Sequence, residues 1–235
     1  GSTIRGGKHD YFTLKYDAEG KQLWAVHRDW SGHDHAVSVA VDRRGNVYVT
    51  GASVRHRDQA GEKTANTDIA TVKYGPDGTE LWTAAFHGGG NADDTPAGLV
   101  TDQQGSVYVT GTTQGSGANS TADYVALRYD ADGKELWAAR YSRTRSSRDT
   151  TSSMATDAAG NVYVLGTSQV GSAQDADYVI VKYGPDGAEH WTARYEAKGN
   201  QWGQALALDR LGNVCATGTS DDGDDYLTVK YSQPQ

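Results

Sequence analysis

The chain has 235 residues, 37% of them hydrophobic and 22% charged, with a formal net charge of −8. That balance gives no electrostatic footprint for nucleic acid or an anionic membrane, and no apolar run approaches the ~20 residues of a membrane-spanning helix. Twenty-nine glycines, 14 tyrosines and only four prolines describe many short strands and tight turns rather than disorder, and a single Cys215 excludes an internal disulfide framework. The opening Gly1-Ser2, without an initiator methionine, reads as a tag scar or a processed fragment.

The first predicted element is a strand over 10–16, Asp-Tyr-Phe-Thr-Leu-Lys-Tyr, followed by a turn at 17–20 and a strand carrying Trp24. A strand of small residues comes next, with Ala36, Ser38 and Ala40 and a terminal Asp42. The turn 43–46 then leads into Asn-Val-Tyr-Val-Thr-Gly at 46–51, where β-branched and aromatic residues alternate at period two. After a long polar loop the opening phrase returns at 68–74, followed by Gly-Pro-Asp-Gly at 75–78 and by Trp82. The same four strands follow at 97–141 and at 151–195, and a fourth set begins at 203 and ends at Tyr231. The leading aspartates Asp10, Asp68, Asp123, Asp177 and Asp225 are 58, 55, 54 and 48 residues apart. No 3.6-residue period appears, so the chain is all-β, built from four-stranded antiparallel units. The repeats run 10–67, 68–122, 123–176 and 177–224, with a closing strand at 225–231. Spacing of this kind suits a β-propeller in which blades pack face to face around an axis.

The run Asp-Tyr-x-x-x-Lys-Tyr, then Gly and Trp, then Asp-x-x-Gly-Asn-Val-Tyr-Val-Thr-Gly resembles the SBBP-type β-propeller repeat of bacterial secreted proteins. The resemblance implies an extracellular or cell-surface location. It also implies that the strands ending in Asp42, Asp102, Asp157 and Asp209 are innermost and the tryptophan strands outermost. The fourth unit lacks an outermost strand, which residues 22–28 at the other chain end would supply, and closure of that kind removes an exposed edge. Both 10–16 and 225–231 then qualify as the third strand of that blade. Three arrangements fit: four blades within one chain, which we favour, a homo-oligomer sharing blades by strand exchange, or part of a larger ring. The family name implies seven blades, more than this chain supplies.

Candidate functional residues lie where loops meet the axis. Asp34, Asp94 and Asp149 each precede an inner-strand aspartate by eight residues, with Gln201 in the fourth slot. They form either a carboxylate ring for a cation or polar ligand, or a set of acceptors for loop amides. Trp30 and Trp202 fall outside the tryptophan register. With the ring closed they would make a stacking platform for a sugar or peptide; alternatively, Trp30 fills the packing slot that Arg28 leaves where other repeats have Phe86, Tyr141 and Tyr195. His33 and His35 flank Asp34, a pairing suited to a zinc-like ion or acid–base work but without the spacing of a specific metal site. Arg140, Arg143, Arg145 and Arg148 form a basic patch, and 221–225 an acidic loop short of a calcium-binding motif. No cofactor is expected, a divalent cation being the exception to consider. The expected function is a non-catalytic binding or scaffold module that recognises a glycan or protein surface through loops at one face. A polysaccharide-active enzyme (lyase or hydrolase) using His33, His35 and the arginines at the mouth of the axial channel, or an excised or engineered repeat scaffold without a ligand, are the alternatives.

Overall fold

Five antiparallel sheets follow one another along the chain in the computed structural model, which describes residues 2–5, 8–30, 32–59, 62–88, 92–115, 121–171, 176–220 and 225–232, with side chains for all of these except 2–5, 8, 55–59 and 62–65. The first sheet holds β1 (Ser2–Arg5), β2 (Lys8–Tyr16) and β3 (Gln22–Arg28) in that order. The second holds β4 (Asp34–Val41), β5 (Val47–Gln59), β6 (Glu62–Tyr74) and β7 (Glu80–Phe86). The third is built from β8 (Asp94–Thr101), β9 (Val107–Gln114), β10 (Ala122–Tyr129) and β11 (Glu135–Tyr141), and the fourth from β12 (Ser147–Thr156), β13 (Val162–Val170), β14 (Ala176–Tyr183) and β15 (Glu189–Tyr195). The fifth holds β16 (Trp202–Leu208), β17 (Val214–Ser220) and β18 (Asp225–Tyr231). The inner strands begin earlier than the small-residue pattern suggests, because Asp34, Asp94 and Asp149 are already paired across to Ser53, Thr113 and Ser168.

Apolar clusters lie between consecutive sheets, and the strands β4, β8, β12 and β16 contact one another in series on the inner side. The first three copies of the recurring phrase take part in a latch between neighbouring sheets. Lys15 Nζ and Trp24 Nε1 both donate to the carbonyl of Pro76, in the outer turn of the next sheet, at 3.0 and 2.9 Å. Lys73 and Trp82 do the same to Ala131, and Arg128 and Trp137 to Pro185. Each indole also sits against a tyrosine of the next sheet, Trp24 on Tyr74, Trp82 on Tyr129 and Trp137 on Tyr183, with ring centroids 6.1 to 6.3 Å apart. Gly133 shows why the turn needs glycine twice over: its φ is +85°, and a Cβ there would fall 2.6 Å from the Trp82 ring. Gly166, in the second strand, leaves room for the hydroxyl of Tyr124 from the preceding sheet, which a Cβ would meet at 2.6 Å.

The expected closure of a four-bladed ring is not what the strands do. Among the described residues, 22–28 pair with β2 alone and β18 with β17 alone, so β3 does not complete the fifth sheet. The physical reason is local. A turn over 17–21, closed by the Asp17 amide to the Lys21 carbonyl at 3.0 Å, joins β2 to β3, whereas pairing with β18 would close a loop of almost the whole chain. The two copies of the third strand therefore do not compete, because each keeps a place in its own sheet.

Candidate functional site

The inner strands run between two ends of the molecule, and each end carries a set of recurring aspartates. At one end Asp42, Asp102, Asp157 and Asp209 close the tight turns. Asp157 Oδ1 accepts from the amides of Ala159 and Asn161, both at 2.9 Å, while Oδ2 accepts from Asn161 Nδ2 at 2.7 Å and the Tyr163 hydroxyl at 3.0 Å. Asp42 has the matching set from Arg44, Asn46 and Tyr48. Burial pushes these two carboxyls up, but the hydrogen bonds outweigh it and hold both below the ordinary carboxylate range. In the fifth sheet Cys215 stands where the tyrosine would be. Lys230, opposite it in register, replaces the lost hydroxyl by bridging to Asp209 at 2.7 Å. A cavity of about 340 Å³ opens among these turns, lined by Asp42, Arg43, Asp102, Gln103, Gln104 and Asp157.

At the opposite end, where loops enter the inner strands, Asp34, Asp94 and Asp149 are at most 1% exposed. Each accepts a loop amide: Trp30 to Asp34 at 2.8 Å, Gly88 to Asp94 at 2.6 Å and Arg143 to Asp149 at 3.0 Å. Gln201 receives the Ala197 amide at 3.3 Å in the same way. These side chains hold the loops down, and the hydroxyls of Ser53 and Thr113, opposite in register, hydrogen-bond the carboxylates of Asp34 and Asp94. Burial pushes Asp34 and Asp94 up, the loop amides oppose it, and neighbouring carboxylates add to it: Asp29 and Asp10 for Asp34, Asp68 for Asp94.

The other predicted residues divide. Trp30 is half-buried, packs beside Tyr11 with ring centroids 6.4 Å apart, and carries the Arg28 guanidinium 4.6 Å from its own ring centroid. It occupies the role that Tyr141 has on Tyr124, as the packing alternative anticipates. Trp202 is the first residue of β16 and 37% exposed. The two indoles belong to the first and last sheets, and the strand pairing that would bring them together is not made. Of the basic patch, Arg143 is committed to Asp177 at 2.6 Å, while Arg145 and Arg148 are exposed. The acidic loop 221–224 lies outside the described residues.

His33 and His35 are exposed, and the structure adds His9 to them, with ring centroids 5.6 and 5.0 Å away. It also adds Asp10 and Asp29 to Asp34. One oxygen of each of these three carboxylates lies within 4.8 Å of the other two. Sequence spacing hides this grouping, because Asp10 lies near the start of β2 in one sheet and Asp34 opens β4 in the next. Aligning the repeats exposes part of it: the residue after the outer strand is Asp29 here and His87, Ser142 and Glu196 elsewhere.

Residues 87–117 match the SBBP family, described as a beta-propeller repeat, and the chain carries that repeat. An uncharacterized WD repeat-containing protein of Acanthamoeba polyphaga mimivirus is 32% identical over 162 residues, which is 56% of this chain and 12% of that protein. The chain thus spans a small part of the curated relative it matches. Among solved structures, a protein of unknown function from Dyadobacter fermentans is similar with a TM-score of 0.55 at 9% identity, over 91% of this chain and 67% of that one. Lignostilbene dioxygenase from Pseudomonas brassicacearum is similar with a TM-score of 0.50 at 12% identity, over 94% of this chain and 54% of that one. At such identities the likeness is one of fold.

Proposed function

We propose that this chain, a run of SBBP-type β-propeller repeats, is a non-catalytic binding or scaffold module that recognises a glycan or protein surface, in an extracellular or cell-surface setting. The observation that carries the reading is the fate of the aspartates at the loop end. Asp34, Asp94 and Asp149 are buried beneath the loops and accept their amides, so they serve to shape a face rather than to meet substrate. What that face presents is exposed and varies from repeat to repeat: Trp202, Arg145 and Arg148. An exposed indole and exposed guanidinium groups suit sugar stacking and carboxylate or sulfate recognition.

A second reading places the ligand at the turn end, favoured by the cavity there, whose size is within the range of small-molecule sites and whose rim offers Arg43, Gln103 and Gln104. One screen separates the two. Acidic and neutral oligosaccharides are tested by thermal shift, and any hit is repeated with Trp202→Ala and Arg148→Ala against Arg43→Ala and Gln104→Ala. Loss of binding in the first pair supports the loop face, and loss in the second pair alone moves the site to the cavity. Conversion of the oligosaccharide to product would replace the binding module with an enzyme. Strand exchange between copies belongs to the same proposal, since β18 has β17 as its one partner among the described residues; a discrete oligomer by light scattering supports it.

A further inference from the structure

The second, third and fourth sheets share one arrangement around their second strand, and the first sheet has most of it. Tyr48 has the Lys73 ammonium 5.2 Å from its ring centroid and lies 6.1 Å from the Trp82 ring. Tyr108 has Arg128 at 5.2 Å and Trp137 at 6.4 Å, and Tyr163 has Lys182 at 5.1 Å and Trp191 at 6.0 Å. An apolar residue of the following inner strand joins each tyrosine's cluster: Leu99 with Tyr48, Met154 with Tyr108 and Leu206 with Tyr163. In the first sheet Lys15 and Trp24 supply the cation and the indole, and Val39 stands in the register of Leu99. What differs is the strand that carries the tyrosine. There β1 pairs only with Lys8–Tyr11 and, among the described residues, no strand runs along Thr13–Tyr16 on that side.

Apolar surface is left open beside this edge. Val39 is 62% exposed against 5% for Leu99, and Val37 and Leu14 are exposed near it. With Val49 they line a groove of about 280 Å³ between β2 and β4. A strand edge next to an apolar groove binds extended peptides by strand addition: main-chain hydrogen bonds give affinity and pockets for alternate side chains give specificity. We propose that this edge and groove form a binding site for an extended segment of the pattern Val-Tyr-Val, donated by another polypeptide and added antiparallel to β2. The neighbouring sheet gives the register. There Tyr108 stands opposite Arg128, with Val107 opposite Tyr129 and Val109 opposite Leu127. The bound tyrosine therefore stands opposite Lys15, within reach of its ammonium, of Trp24 and of Val39, and its two valines stand opposite Tyr16 and Leu14. The segment continues the line of β1, since Ser2 faces Tyr11 as Thr112 faces Tyr124. The chain's own Val-Tyr-Val segments, at 47–49, 107–109 and 162–164, are already paired on both sides, and β17 has Cys215 in place of the tyrosine. The donor is therefore a different polypeptide. The site shares no residue with the loop face and is independent of the recognition proposed there.

The test titrates the intact chain with the synthetic peptide Asn-Val-Tyr-Val-Thr-Gly, the sequence of residues 46–51, and follows the amide signals of Thr13–Tyr16 by NMR. Saturable one-to-one binding that shifts these amides and slows their hydrogen exchange is expected. Replacing the peptide tyrosine by alanine is expected to weaken binding on the order of tenfold, through loss of the cation and indole contacts. Val39→Glu, an exposed change that spares the core, is expected to weaken it at least as much, while Leu211→Glu, at an exposed turn of the fifth sheet, leaves it unchanged. The proposal is overturned if about 1 mM peptide shifts none of these amides, if the alanine peptide binds as tightly, or if Val39→Glu binds like the wild type. Self-association of the chain that the peptide competes away would overturn it too, by making a second copy the occupant.

Discussion

The two ends of the inner strands carry the same residue type eight positions apart in sequence, and the two sets of aspartates experience opposite environments. At the turn end Asp157 receives four hydrogen bonds from residues two to six positions later, and its carboxyl sits below the ordinary range. At the loop end Asp94 is raised above it by burial, which outweighs the Thr113 hydroxyl and the one amide it accepts, and by the facing Asp68. The difference teaches that a repeated aspartate is not one signal. A carboxylate inside its own turn is solvated by the turn, whereas one beneath a junction loses water and gains a neighbour of like charge.

The largest expected effect comes from breaking the turn end. Asp157→Ala leaves two amides, the Asn161 side chain and the Tyr163 hydroxyl without their acceptor, and should destabilise the fold by about 2 kcal/mol in urea unfolding. A cost near zero would mean that water serves these donors equally well. At the loop end the sign turns over. Asp94→Asn keeps an acceptor for the Gly88 amide and removes a buried like charge, so it should stabilise by roughly 0.5–1 kcal/mol.

The pH response sharpens the same contrast. Asp42 and Asp157 have lowered pKa values in the fold, so their contribution is present above the unfolded carboxylate pKa and is lost as pH falls through the folded value. Asp94 has a raised value, so its burden is greatest at neutral pH and eases as pH falls through the folded value toward the unfolded one. Urea midpoints against pH should therefore show a rise on mild acidification that Asp94→Asn reduces, then a fall at lower pH that Asp157→Ala reduces. The smallest effect is expected at Lys230→Met. It removes an exposed bridge to Asp209 that stands in for a tyrosine, and should move the midpoint less than any substitution above.

The repeat and the antiparallel units are legible in the sequence because period-two alternation and tight-turn glycines are local signals, whereas the inner position of the small-residue strands is implied by the family resemblance. The latch from Trp82 and Lys73 to Ala131 is half-legible: the residues recur, but their shared acceptor lies in the next sheet. Closure misleads because composition qualifies 22–28 equally for two sheets, and loop length decides between them. Trp30 is readable as a packing residue from Arg28 alone. The grouping of Asp10, Asp29 and Asp34 is not readable from spacing, since three strands from two sheets have to be in place before these carboxylates meet.

Carboxyl carbon chemical shifts of the aspartates, followed against pH by NMR, measure the contrast directly. The account predicts that Asp94 titrates above the ordinary aspartate range while Asp42 and Asp157 titrate below it. Titration of all three together, or Asp94 below Asp157, would contradict it.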